Sequence, residues 1–390
     1  MIADSRIYLD YHATTPVDPR VVDLVVHHMT TRFGNASSVD HAFGDDAADA
    51  VRRARAEVAE LVGASPRSVV FTSGATESIN LALRGLVRSA AMRRTGRPAR
   101  IGVSPLEHRA VLDCCEALEA EGLVSLTWFR VQPTGQLDLQ DFEVSCDRLD
   151  VACVMAANNE IGTVYPLEEI GAICSRRGVL LITDATQAAG KIPLKFNEWG
   201  VGMMALTAHK MYGPKGVGAL LVSPGIELEP IVRGGGHQRG LRSGTLNVPG
   251  IAGFGLACRL RSEEMAEDEP AIARRRDRLE AALLRLVPEL IVNGDRVNRL
   301  AGNLHVSIPN VPNTAVVARL RHHLAISTGS ACSSGTLSQS HVVRGIRLPD
   351  DLADGSLRFG LGKFTTDDHV ETAVRLVSEA IRQVRSALSC

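Results

Sequence analysis

The sequence predicts an α/β chain: a large domain on a mostly parallel mixed sheet covered by helices, plus a smaller α+β domain. Three observations predict it. Short apolar runs alternate with amphipathic helical stretches through most of the chain, as in a sheet buried on both faces. Polar, glycine-bearing motifs follow several of these runs, and ligands sit at the carboxyl ends of the strands in such sheets. At 390 residues the chain also exceeds what one small core accommodates.

The elements follow in order. Asp45 to Val62 is a helical stretch rich in Ala, Arg and Glu, with Gly63 placed to end it. Ser68 to Phe71 is a short strand-like run that leads through Thr72-Ser-Gly-Ala-Thr-Glu77 into another helix. Arg100 to Val103 predicts a strand and Ala110 to Ala120 a helix. Val151 to Ala156 is apolar and too short for a helix of its own. Pro166 to Arg177 predicts a helix with proline near its start. Val179 to Thr183, Met203 to Leu206 and Gly218 to Val222 predict buried strands.

After about Ile251 the pattern changes. Two charged helical stretches, Arg259 to Glu269 and Ala271 to Leu286, precede short apolar runs at Leu304 to Ile308, Leu324 to Ser327 and Leu357 to Phe359. A final helix starts near Thr366. The expected division is 13–255 for the large domain, with 1–12 and 256–390 forming the small one.

Composition narrows the function classes. A formal net charge of -1 and a pI near 6.9 supply no global field for nucleic acid or an anionic membrane. The Arg274-Arg-Arg276 run lies near Glu263, Glu264, Glu267, Asp268 and Glu269, so it predicts a solvated helix face. Only five of the 43 basic residues are lysines (Lys191, Lys195, Lys210, Lys215, Lys363), which leaves few candidates for amine chemistry. The eight cysteines form no C-x-x-C pair and no zinc-type spacing with histidine. Residues 1–12 show no basic segment leading into an apolar run, and no apolar stretch reaches spanning length. A cytoplasmic protein with reduced thiols is the expectation.

Three motifs carry chemistry. Thr72-Ser-Gly-Ala-Thr76-Glu puts small residues where a strand meets a helix N-terminus, a place for an anion or for an ordinary cap. Leu180-Leu-Ile-Thr-Asp184 ends a buried strand on an acid, which needs a partner such as a pyridinium nitrogen or caps the next helix. Leu206-Thr-Ala-His209-Lys210-Met-Tyr-Gly-Pro-Lys215 follows another strand. A lysine there, beside hydroxyl and imidazole groups, suits a Schiff base to pyridoxal phosphate. Lys215 lies inside the Gly/Pro turn and is expected to face solvent or the phosphate region.

Together with other segments, these motifs resemble one family along nearly the whole chain. The segments include Tyr8-Leu-Asp-Tyr-His-Ala-Thr-Thr-Pro16, Phe33-Gly-Asn35, Glu107-His108, Asn158-Asn159-Glu-Ile-Gly162 and Asp184-Ala-Thr-Gln187. They continue through His209-Lys210, Gly234-Gly-Gly-His-Gln-Arg-Gly240, Arg242-Ser-Gly-Thr245, Ser327-Thr-Gly-Ser-Ala-Cys332 and Leu357-Arg358-Phe. The chain resembles group I cysteine desulfurases of the NifS/IscS type, in the fold-type I (class V aminotransferase) superfamily of pyridoxal-phosphate enzymes.

The resemblance implies roles. Lys210 holds the cofactor as a Schiff base, and His108 stacks on its ring and is a catalytic proton carrier, with Lys210 or His108 removing the substrate α-proton. Asp184 pairs with the ring nitrogen, while Gln187 and Asn159 touch the ring oxygen. Thr76, Thr207 and His209 hold the phosphate. Thr245 reaches the phosphate of a second subunit, which implies a homodimer. Arg358, with Asn159 and Asn35, receives the substrate, its planar fork taking the carboxylate. Cys332, in a run of small residues, takes the sulfur of L-cysteine as a persulfide, leaving L-alanine. The other cysteines are expected to be core or incidental thiols, with terminal Cys390 the exception.

Some positions depart from the family pattern. Thr207-Ala208 stands where Ser-Gly is usual, keeping the hydroxyl, and Ala36 stands where Pro is usual. The chain ends soon after its last helix, without the longer tail that engages an iron–sulfur scaffold. The implied acceptor is a protein of iron–sulfur cluster assembly, tRNA thiolation or DNA phosphorothioation. Another class V aminotransferase-type enzyme, such as a selenocysteine lyase, is the alternative, and the Ser-Ala-Cys-Ser context argues against it.

Overall fold

The structure is a computed structural model that describes residues 6–328 and 339–389. Its main sheet has seven strands in the order Val69–Thr72, Gly218–Val222, Val201–Thr207, Leu180–Asp184, Val151–Cys153, Ala99–Val103 and Val124–Trp128. All neighbours pair in parallel except Gly218–Val222, which runs antiparallel to both of its partners. This is the mixed, mostly parallel sheet that the apolar runs predict. The central strands Val151–Cys153 and Val201–Thr207 are buried throughout, which explains why they are continuous apolar runs rather than alternating ones.

Helices cover both faces. Ala42–Leu61 buries Ala47, Ala50, Val51, Ala54 and Val58, a stripe at helical spacing against one core. Ala75–Val87 and Arg109–Ala120 bury Ile79, Leu83, Leu86, Val111, Leu112 and Cys115 against the other face. The helix Leu167–Arg177 ends on Gly178 in the left-handed conformation, which glycine adopts without a Cβ penalty.

A second apolar cluster gathers Leu279, Leu283, Leu304, Val306, Leu357, Phe359, Val377 and Ile381. Its sheet orders Ser356–Gly360, Asn303–Ser307 and Ile291–Val292 antiparallel, and the helix Asp367–Leu388 covers it with a Thr366 capping box at its start. Ile7 and Tyr8 pair in parallel with Leu324 and Ala325.

The sequence reading broke the long charged region at Pro270. The structure instead has one helix, Val248–Leu286, 39 residues long, with Pro270 inside it. Proline removes one backbone donor, but Pro270 is on the exposed face. Just before it, Arg261 spans two turns to Asp268 (2.5 Å) and Glu269 (2.8 Å). The two halves are also anchored in different cores, through Ile251 and Phe254 on one side and Leu279 and Leu283 on the other. Packing at both ends therefore overrides the local breaker. Among the described residues, no helix is long and apolar enough to cross a membrane.

Candidate active site

Several strand ends meet at one cavity of about 480 Å³. Leu180–Asp184 and Val201–Thr207 are sheet neighbours, with Asp184 beside Ala205, so Asp184 and the Lys210 turn leave the same sheet edge. Thr76, His108, Asn159, Asp184, Gln187, Thr207, His209, Lys210 and Arg358 all line the cavity, as the motifs predict.

Each wall has a local cause. The helix Ala75–Val87 begins after Gly74 with no side-chain cap, and Ser73, Gly74, Ala75 and Thr76 line the cavity. Uncapped N–H groups at a helix start suit a phosphate. Gly218 lets that start lie close, because a Cβ there would sit 2.7 Å from the Gly74 Cα and 2.5 Å from the Leu206 carbonyl oxygen. The Thr207 hydroxyl donates to the Val217 carbonyl at 3.3 Å. Asp184 is 8% exposed, and its carboxylate accepts the Thr186 N–H at 2.9 Å.

His108 caps the helix Arg109–Ala120, its Nδ1 accepting the Ala110 N–H at 3.1 Å. A neutral ring then carries its proton on Nε2. His209 approaches the Thr14 hydroxyl through Nδ1 at 3.1 Å. Burial, with the charges of Lys210, Lys215 and Lys191, pushes the His209 ring down to about 4. The Lys210 amine donates to the carbonyls of His12 (2.5 Å) and Ala13 (2.7 Å).

Arg358 comes from the second sheet and is 3% exposed. It donates through Nη1 to the Asn159 carbonyl at 3.0 Å and through Nη2 to Asp10 at 2.8 Å. Its Nε is buried without a partner. Its backbone bridges Ser327, with N–H···O distances of 2.7 and 3.1 Å.

Other predicted residues stand apart. Asn35 is exposed, and its Oδ1 accepts the Ser37 N–H at 3.0 Å. Thr245 is exposed and does not line the cavity. Cys332 and Cys390 lie outside the described residues. The six described cysteines (Cys114, Cys115, Cys146, Cys153, Cys174, Cys258) are free and buried, as expected of core thiols. Lys215 lines the cavity at an exposed position.

Sequence reasoning missed His12, Ala13, Met155, Ala157 and Thr186, which also line the cavity. His12 and Ala13 lie in the Tyr8–Pro16 motif, and that motif was the available signal.

The residues fit pyridoxal phosphate. A lysine amine, a nearly buried carboxylate, a histidine and an uncapped helix start with hydroxyls share one cavity. They match its aldehyde, ring nitrogen, ring face and phosphate in turn. Among the described residues, no group of three or more His, Cys, Asp and Glu side chains is arranged to hold a metal ion.

Comparisons with known proteins agree with this geometry. Residues 7–372 match the family model described as Aminotransferase class-V. The chain is 46% identical over 382 residues to a protein named cysteine desulfurase IscS from Anaeromyxobacter sp. (strain Fw109-5), covering 97% of this chain and 93% of that one. A solved structure titled NifS-like protein superposes with a TM-score of 0.88 at 32% identity, covering 96% of this chain and 98% of its own. Another, titled SspA in complex with cysteine, has a TM-score of 0.79 at 31% identity, covering 92% and 100%. With its sheet, its cavity and these relatives in agreement, the chain belongs to the class-V aminotransferase family.

Proposed function

We propose that this protein is a pyridoxal-phosphate-dependent cysteine desulfurase that releases L-alanine and holds the sulfur as a persulfide on Cys332. One observation carries the reading. Lys210, Asp184, His108 and Arg358 share a single cavity, and the Arg358 backbone is bridged to Ser327, five residues before Cys332. The cysteine complex of the SspA relative supports L-cysteine as the substrate.

When bound, the cofactor supplies an electron sink that makes the α-proton and the Cβ–S bond of the substrate labile. Lys210 anchors the cofactor and then takes the α-proton on Nζ. Asp184 would pair with the ring nitrogen and favour its protonated form, and His108 would hold the ring face. Thr76, Thr207, His209 and the helix start hold the phosphate, with Gln187 and Asn159 at the ring oxygen. Arg358 offers its Nε and fork to the substrate carboxylate.

The Cys332 thiolate attacks the substrate sulfur. The new S–S bond forms as the Cβ–S bond breaks, and the bonding pair stays on Cβ, where a proton completes alanine. The balance is L-cysteine plus Cys332–SH to L-alanine plus Cys332–S–SH. Cys332 is joined to Ser327 by five residues of chain, which span at most about 18 Å. The persulfide then passes to an acceptor protein.

Two further features support a cytoplasmic homodimer. Val22, Val26 and Met29 lie exposed on one face of the helix Pro19–Thr30, followed by exposed Phe33, Val39 and Phe43. A second subunit covering this face is the economical way to bury it, and Thr245 then serves the partner's phosphate site. The buried, unpaired thiols fit a reducing compartment.

The test uses purified protein loaded with cofactor, L-cysteine and a thiol reductant. Alanine and sulfide in equal amounts are expected. Cys332→Ala is expected to keep cofactor and bind L-cysteine while yielding little alanine. Near-normal turnover by that variant refutes the role of Cys332, and cofactor-loaded wild type that makes no alanine refutes the desulfurase.

A further inference from the structure

His12 lines the cavity at 2% exposure, and the mechanism above gives its side chain nothing to do. Its hydrogen bonds nevertheless fix its chemistry. The Gln187 Nε2 donates to the His12 carbonyl at 2.8 Å. A carbonyl oxygen only accepts, so this atom is the amide nitrogen and the orientation of the amide is decided. Gln187 Oε1 then accepts from Lys191 Nζ at 2.9 Å and faces His12 Nδ1 at 3.2 Å. An amide oxygen has no hydrogen to give, so Nδ1 carries the proton. The Nε2 of the neutral ring is therefore bare, an acceptor.

That acceptor is buried and has no partner. Burial, followed by the charges of Lys191 and Arg358 and then Lys210, holds the ring well below its ordinary titration range, so it stays neutral. It can hold a proton donor without taking the proton. Room for the ring is specifically provided, since a Cβ on Gly360 would lie 2.9 Å from the His12 Cδ2. Gly360 is two residues from Arg358, on the same face of the same strand. The ring thus lies beside the group assigned to the substrate carboxylate.

We propose that His12 is a substrate-binding residue whose bare Nε2 accepts a hydrogen bond from the amino-acid substrate, from its α-nitrogen or its thiol. Gln187 and Lys191 are positioning residues that set this tautomer. The inference rests on the desulfurase reading for the identity of the substrate, but the tautomer does not depend on it.

The experiment compares cofactor-loaded wild type with His12→Phe, which fills the ring space without an acceptor. His12→Asn can restore a donor toward Gln187 with an acceptor beyond it. His12→Phe is expected to raise KM for L-cysteine by about 10- to 100-fold, the range for a lost hydrogen bond to a charged group, with a smaller change in kcat. His12→Asn is expected to recover part of that loss, and both variants keep the cofactor absorbance per subunit.

Binding of L-alanine, which has no thiol, separates the two donors. Weakened binding of both amino acids in His12→Phe identifies the α-nitrogen, and weakened binding of L-cysteine alone identifies the thiol. Nitrogen-15 histidine spectra, with the His12 signals assigned by their loss in His12→Asn, are expected to show a bare Nε2 before substrate is added. This arm holds even if no alanine is produced from L-cysteine. A protonated Nε2 in those spectra, or unchanged affinity for both amino acids in a folded, loaded His12→Phe, overturns the proposal.

Discussion

Replacing Glu160 with Gln should change the pH dependence of stability by an amount that follows from the site. Glu160 is 4% exposed, and its carboxyl accepts the Ser340 hydroxyl at 2.6 Å. Burial pushes it up to about 7 from 4.5, against smaller downward pulls from Ser340, Arg358 and His108. Below pH 4.5 both the folded and the unfolded chain are protonated here, and the group is neutral to stability. As pH rises toward 7 the unfolded chain ionises first, while the folded chain keeps its proton. The unfolded state then binds fewer protons, so stability falls with rising pH until the folded group also ionises. The linkage integral gives a loss of about 2.5 kcal/mol between pH 5 and pH 8.

Glutamine never ionises and still offers Ser340 an acceptor. Wild type and Glu160→Gln should therefore diverge, the variant gaining about 2.5 kcal/mol on wild type across that pH range. Urea unfolding at four pH values, followed by the fluorescence of Trp128 and Trp199, measures the difference. Other groups titrate in this window, including Lys191 and Glu269, each displaced to about 7, and they cancel in the comparison of the two chains. Parallel pH profiles would show that Glu160 does not keep its proton in the folded state, and the argument would fail.

Lys210→Ala should abolish covalent cofactor attachment. Borohydride reduction and peptide mass spectrometry read this directly, and an adduct on Lys215 or Lys191 in the wild type would displace the assignment. Arg358→Lys should raise KM for L-cysteine by roughly 10-fold or more, since one ammonium cannot replace a fork that serves Asp10, the Asn159 carbonyl and a carboxylate together. An unchanged KM would remove Arg358 from the substrate site. Gly360→Ala places a methyl 2.8 Å from the Tyr11 backbone nitrogen and 2.9 Å from the His12 ring, so it should lower stability by roughly 1–3 kcal/mol in urea titrations. No loss would mean that the segment around Tyr11 gives way easily.

The sequence showed the part of the site whose signals are local. Asp184 ends one buried strand and Lys210 follows another by three residues, and the two strands are neighbours. The helix start at Ala75–Thr76 follows its strand just as directly. Periodicity together with small residues was enough to find all three. The continuity of Val248–Leu286 was not legible, because Pro270 is a strong local signal and the anchors that overrule it lie in two separate cores. Asn35 and Thr245 entered through resemblance alone, and in the single chain they stand at exposed positions away from the cavity.

The segment from Tyr8 to Thr15 was undervalued for a related reason. It carries no periodicity, and only Tyr8 belongs to a strand, the two-residue Ile7–Tyr8, so no pattern marks it. In the fold it is the seam of the site. Tyr8 pairs with Ala325, and Asp10 holds Arg358. The carbonyls of His12 and Ala13 receive Lys210, and Thr15 bonds both the His209 carbonyl and the Tyr212 N–H. Eight residues thus connect the strand that offers the guanidinium to the turn that offers the amine, by contacts spanning 194 to 348 positions of sequence. Precise spacing between Arg358 and Lys210 matters because reacting groups must be held near their attack geometry. Substitutions in this segment should therefore act on substrate affinity before they act on folding, even where the replaced side chain never reaches the cavity.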